Sequence, residues 1–207
     1  MMRIPVYIAI FSLLLLTPRV LSAADGQRRT WNFDHDKTGE IAPGFVGEVG
    51  TWRVVEAGQG KVLAQSAKNS DPTFNVTLIR DTNSKDVDIS VDVQAIAGEL
   101  DRGGGIVWRA KDAKNYYLAR YNPLEDNYRL YHVVDGKRTL LQNADLPHSD
   151  RAFTLRIAMT GDHIECYYNG KKYLDFHDAT ITKPGMIGLW SKADAQSQFD
   201  NLILIGK

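Results

Sequence analysis

Alternation of apolar and polar residues dominates this chain beyond its first two dozen positions, and helical periodicity is nearly absent. Val87, Ile89, Val91 and Val93 point one way while Asp88, Ser90, Asp92 and Gln94 point the other. That is the pattern of a half-buried antiparallel strand. Phe153, Leu155, Ile157 and Met159 repeat it against Thr154 and Arg156. From Leu202 to Ile205 both faces are apolar, as expected near a sheet centre. The dipeptides Asp135-Gly136 and Asn169-Gly170 favour two-residue hairpins. The runs between turns predict strands near 30–34, 51–55, 61–66, 74–79, 86–97, 104–110 and 115–121. Others follow near 127–134, 137–143, 152–159, 162–168, 171–176, 186–191 and 198–205. So many short strands without helices predict an all-β fold, a two-sheet antiparallel jelly-roll sandwich.

The first residues are of a different kind. Met1 to Arg3 give a positive start, Ile4 to Leu16 a mostly apolar run, and Ser22-Ala23-Ala24 small residues for cleavage. Residues 1–24 read as a secretory signal peptide, since about 13 apolar residues are too few for a ~20-residue membrane span. The expectation is an exported protein, periplasmic or extracellular, with residues 25–207 forming one domain. Removing Arg3 and Arg19 leaves 23 basic residues against 25 acidic ones. That balance leaves no electrostatic footprint for nucleic acid or anionic lipid. Cys166, the only cysteine, shares its strand face with Ile164 and Tyr168 and is expected as a buried small hydrophobe.

Residues 103–131 concentrate the candidate chemistry. Two aromatic-rich strands flank the polar turn Asn122-Pro123-Leu124-Glu125-Asp126-Asn127. Arginine forks, amides and aromatic platforms suit a polyhydroxylated ligand. Arg109, Tyr117, Arg120, Asn122, Glu125, Asn127 and Tyr131 are the candidate binding residues, with Glu125 the candidate acid or base. Alternation puts Ile106 and Trp108 in the core and leaves Arg109 and Tyr117 exposed. Arg120 falls in register with Leu118 rather than Tyr117, so it needs a strand end or bulge to join them. Asp86, Asp88 and Asp92 are either a catalytic pair on a concave face or a solvated stripe on a convex one. The five histidines show no metal-ligand spacing.

Several short motifs extend along the chain: Trp31-Asn32-Phe33-Asp34, Gly50-Thr51-Trp52-Arg53-Val54, Gly104-Gly105-Ile106-Val107-Trp108-Arg109 and Asn115-Tyr116-Tyr117. Lys183-Pro184-Gly185-Met186-Ile187-Gly188-Leu189-Trp190 and Phe199-Asp200-Asn201-Leu202 close the series. Their order resembles the concanavalin A-like lectin and glucanase superfamily, and within it the 3-keto-disaccharide hydrolase domains of exported bacterial proteins. The resemblance implies two curved sheets with carbohydrate on the concave face. It also implies calcium at the sandwich rim, for which Asp34 and Asp200 are the candidate ligands if the terminal strands pair. No cofactor is required.

Two departures weigh against carrying an activity over. The Glu-x-Asp-x-x-Glu strand of family 16 glucanases is replaced by the Asp86–Asp92 run. Leu118 stands where the keto-sugar hydrolases place a glutamate. The leading expectation is a carbohydrate-binding domain; a glycoside hydrolase or lyase acting on a 3-keto glycoside is the alternative. A cell-surface structural or protein-interaction module is the third reading.

Overall fold

The computed structural model describes residues 28–206; the expected signal peptide lies outside them. Fifteen strands and no helix make up this span. They are β1 Arg28–Trp31, β2 Phe45–Val49, β3 Trp52–Ala57, β4 Gly60–Gln65, β5 Phe74–Ile79 and β6 Val87–Ala97. Next come β7 Gly104–Asp112, β8 Asn115–Asn122, β9 Asn127–Val134 and β10 Lys137–Asp145. The last are β11 Phe153–Thr160, β12 His163–Tyr168, β13 Lys171–His177, β14 Met186–Lys192 and β15 Gln196–Gly206. One antiparallel sheet has the order β13-β12-β11-β6-β15-β4-β3, with β1 also pairing β15; the other is β10-β9-β8-β7-β14-β5-β2.

The alternating runs become the facing surfaces. Val87, Ile89, Val91 and Val93 of β6 and Phe153, Leu155, Ile157 and Met159 of β11 pack with Ile106, Trp108, Tyr117, Ala119 and Tyr121 from the second sheet. Burying each large apolar side chain contributes about 1.5–3 kcal/mol. Cys166 is buried among them. The two expected hairpins form at Asp135-Gly136 and Asn169-Gly170, where all four residues have positive φ. That backbone matches the twist of the flanking strands. Strand β2 was not expected, because Phe45-Val-Gly-Glu-Val49 lacks alternation; it pairs with β5 at the sheet edge.

The outer face of the seven-stranded sheet carries a second apolar cluster: Val76, Leu78, Val107, Tyr116, Leu118, Tyr131, Val133 and Trp190. In a flat sheet β10 and β5 would stand five spacings apart, roughly 24 Å. Yet the Arg138 guanidinium on β10 lies 5.1 Å from the Phe74 ring on β5. The sheet is therefore strongly curved and this face is its concave one.

Candidate functional site

The concave face is assembled by simple parity. On β8 the residues Tyr116, Leu118, Arg120 and Asn122 point outward, and on β9 Asn127, Arg129, Tyr131 and Val133 stand beside them. Arg120 pairs in register with Gly105 of β7, which in turn faces Trp190 of β14. A Cβ at Gly105 would meet the Ala119 carbonyl oxygen at 2.6 Å and Arg120 Cβ at 2.8 Å. The glycine therefore leaves room beside the guanidinium.

Arg120 is the hub. Its Nη1 donates to the Asn127 side-chain oxygen, and its Nη2 donates to Glu125 Oε2 at 2.8 Å and to the Tyr131 hydroxyl at 3.2 Å. Asn127 also donates to Glu125 Oε2, at 3.2 Å, and Arg129 pairs with the same oxygen at 3.3 Å. Partial burial disfavours a charged Glu125, but Arg120, Asn127 and Arg129 outweigh it and hold the carboxyl below its usual range. These are charge-assisted bonds, the stronger kind.

A second carboxylate comes from the loop before β7. Asp101 is 4% exposed, accepts from the Asn122 amide at 3.1 Å and has Lys192 Nζ 3.6 Å away. Burial pushes its carboxyl up to about 6, against the pull of Arg120 and Lys192. Lys192 also pairs with Asp71. Above the floor, the Arg138 guanidinium lies 4.5 Å from the Tyr131 ring, 5.1 Å from Phe74 and 5.9 Å from Trp190.

Four buried polar atoms of this face lack a well-formed hydrogen bond in the protein: Arg120 Nε, Arg138 Nη1, and Trp190 Nε1 and the Tyr116 hydroxyl, which have only each other nearby. Buried polar groups are nearly always satisfied, by protein, water or ligand. Three of the four can only donate. The face thus presents a deficit of acceptors, with aromatic rings and two carboxyls of opposite tuning around it.

Of the residues singled out in the sequence, the structure brings together Arg120, Asn122, Glu125, Asn127 and Tyr131. Two others lie elsewhere. Tyr117 is fully buried between the sheets, stacked on Trp108 at 5.6 Å, with its hydroxyl on Asp178. Its expected exposure is corrected, because its parity matches Trp108 rather than Arg120. Arg109 is 2% exposed. It takes a left-handed φ of 47° where the β7–β8 register shifts, which turns it off the face that Val107 occupies. Its guanidinium donates to the carbonyls of Lys85, Ile181 and Gly161. Arg120 needs no bulge to reach its partners.

The Asp86–Asp92 stripe lies on the other sheet. Asp88 takes two bonds from Arg156, at 2.7 and 2.6 Å, and Asp92 accepts from Thr154 and Asn201. Asp86 accepts from the Gly161 amide. The terminal strands do pair, Trp31 opposite Leu202. Asp34 accepts from the Lys61 amide, and burial together with Asp34 and Asp92 raises the Asp200 carboxyl. Among the described residues, His163, Glu165 and Asp175 offer ligand atoms within 4.8 Å of one another, but Lys172 bonds both carboxylates.

Sequence reasoning did not find Asp101, Arg138, Lys192 or Phe74. Asp101 lies in the loop just before β7, while Arg138, Lys192 and Phe74 come from three strands outside the 103–131 segment. Only Arg138 carried a readable cue, since the Asp135-Gly136 hairpin sets it opposite Val133.

The fold and its concave polar face place the molecule among lectin-like β-sandwich proteins. Residues 25–204 match the 3-keto-alpha-glucoside-1,2-lyase-like domain, and the chain belongs to that family. The levanase of Bacillus subtilis (strain 168) is 26% identical over 164 residues, which cover 74% of this chain. The chain spans only 21% of the levanase. The carbohydrate binding module CBM66 from Bacillus subtilis has a similar structure, with a TM-score of 0.67 and 23% identity over 77% of this chain and 93% of that one. A putative glycosyl hydrolase from Parabacteroides distasonis gives a TM-score of 0.58 at 11% identity, covering 89% and 95% of the two chains. No helix of the described residues is long and apolar enough to cross a membrane.

Proposed function

We propose that the protein is an exported carbohydrate-binding domain that holds a saccharide on the concave face of its seven-stranded sheet, around Arg120. The observation that carries this reading is the set of four buried polar atoms without a well-formed hydrogen bond, Arg120 Nε and Arg138 Nη1 foremost, beside the Arg120–Glu125–Asn127 network. Sugar oxygens supply the missing acceptors, Glu125 and Asp101 accept from sugar hydroxyls, and the aromatic rings take the apolar ring face. The family membership and the likeness to a carbohydrate binding module support it. Calorimetric titration against gluco-, fructo- and galacto-oligosaccharides and their oxidised forms is the test. Arg120→Ala removes charge-assisted bonds of about 1.5–3 kcal/mol each, so affinity falls at least about tenfold. A folded protein that binds none of these sugars overturns the reading.

A second reading, a lyase or hydrolase acting on a 3-keto glucoside, is favoured by one observation. Asp101 is tuned up to about 6 and Glu125 is tuned down, the split expected of an acid and a base sharing a site. Turnover of a 3-keto glucoside, abolished in both Asp101→Asn and Glu125→Gln, is its expected signature. Absence of any turnover by the folded protein removes it.

A further inference from the structure

The concave face continues beyond the Arg120 cluster. Strands β7, β8, β9 and β14 lead from it to a cleft of about 580 Å³ lined by Ala110, Asn115, Val134 and Met186 from their far ends. Ala110 and Met186 belong to the outer-face apolar cluster, so the cleft floor is continuous with the concave surface. From Asn115 to Arg120 the strand advances roughly 17 Å, a length suited to a short oligosaccharide.

The charged wall of this cleft has a single sign. Arg80, Lys111 and Lys183 line it, and no carboxylate residue does. All three are exposed, and none forms an ion pair among the described residues. Arg109 adds a fourth cation beneath them, held by three carbonyls and Asp86. The other concave-face cations differ, for Arg120 and Arg129 pair with Glu125 and Lys192 with Asp71, while Arg138 lies over the Tyr131, Phe74 and Trp190 rings. A recess lined by one sign of charge concentrates field and attracts the opposite charge. Its size matches ordinary small-ligand sites. The apolar floor suits the C–H face of a sugar ring, and the three free cations suit a carboxylate attached to that ring.

We propose that this cleft is a second subsite, taking the uronate unit of an acidic oligosaccharide whose other end lies at Arg120. The proposal rests on the saccharide reading of the Arg120 cluster. Trigalacturonate and the matching neutral galactotriose are the probes, titrated into wild type, Lys111→Ala/Lys183→Ala and Arg120→Ala. Wild type is expected to favour the acidic trisaccharide by about tenfold, the scale of a few exposed charge contacts. That selectivity should collapse in the double variant and at high salt. Amide NMR shifts should appear near Lys111 and Met186 as well as near Arg120. Selectivity unchanged in the double variant, or no trigalacturonate binding to folded wild type, overturns the subsite. Loss of the Arg120 reading is separately visible, as failure of the whole neutral panel or indifference of sugar binding to Arg120→Ala.

Discussion

Replacing Asp101 by asparagine should change how stability depends on pH, and the structure sets the size of the change. The side chain is 4% exposed, and burial outweighs the stabilising pull of Arg120 and Lys192, raising its carboxyl from 3.8 to about 6. A carboxyl with a raised native value binds its proton more tightly in the folded state. Its favourable contribution is therefore complete below pH 3.8 and is lost as pH rises through about 6. The gap corresponds to about 3 kcal/mol. Asparagine keeps the shape and an oxygen for the Asn122 amide, but it carries no charge to desolvate. Wild type should thus lose about 3 kcal/mol relative to Asp101→Asn between acidic and neutral pH. Urea unfolding of both proteins, followed from about pH 3.5 to pH 7.5, reads this difference directly. Parallel stability profiles would refute the reasoning, since they would mean that Asp101 ionises in the native state as easily as in the unfolded chain.

Three further substitutions separate packing from recognition. Tyr117→Phe loses the hydroxyl that bonds Asp178 and accepts from the Ile181 amide, so thermal unfolding should show a loss of about 1–2 kcal/mol with saccharide affinity unchanged. Arg109→Ala removes a buried guanidinium from three part-buried carbonyls and should cost about 3 kcal/mol in denaturant unfolding. Arg138→Ala removes a cation from the Tyr131, Phe74 and Trp190 rings; about 1 kcal/mol of stability should go, and titration should show weaker sugar binding. An Arg138→Ala protein that binds sugar as well as wild type would place Arg138 outside the site.

The fold was readable because period-two alternation states, strand by strand, which residues share a face. It does not state which face is the outer one. Parity sets Arg120 with Leu118 on one side of β8 and Tyr117 on the other, and the structure adds Asn122 to the Arg120 side. Alternation alone does not say that the Tyr117 side is the inner one; its stacking on Trp108 draws it inward. Arg109 escaped because a single left-handed residue shifts the β7 ladder, and nothing in Trp-Arg-Ala-Lys announces such a bulge. Strand β2 escaped because its glycine and glutamate hide its period. Asp101 and Lys192 join the cluster from a loop and from β14, outside any one hairpin, and Phe74 meets Arg138 only through sheet curvature, which leaves no local mark.

The last strand has a consequence for the order in which the molecule can be made. Strand β15 sits between β6 and β4 and also carries β1, so residues 196–206, which follow the other fourteen strands in the chain, occupy the middle of the eight-stranded sheet. Until they arrive, the apolar edges of β4 and β6 have no neighbour to join them. Such long-range pairing makes folding slow and leaves the nascent chain unclosed. A growing chain would remain open along this seam, and dependent on being kept from sticking, until β15 has been made.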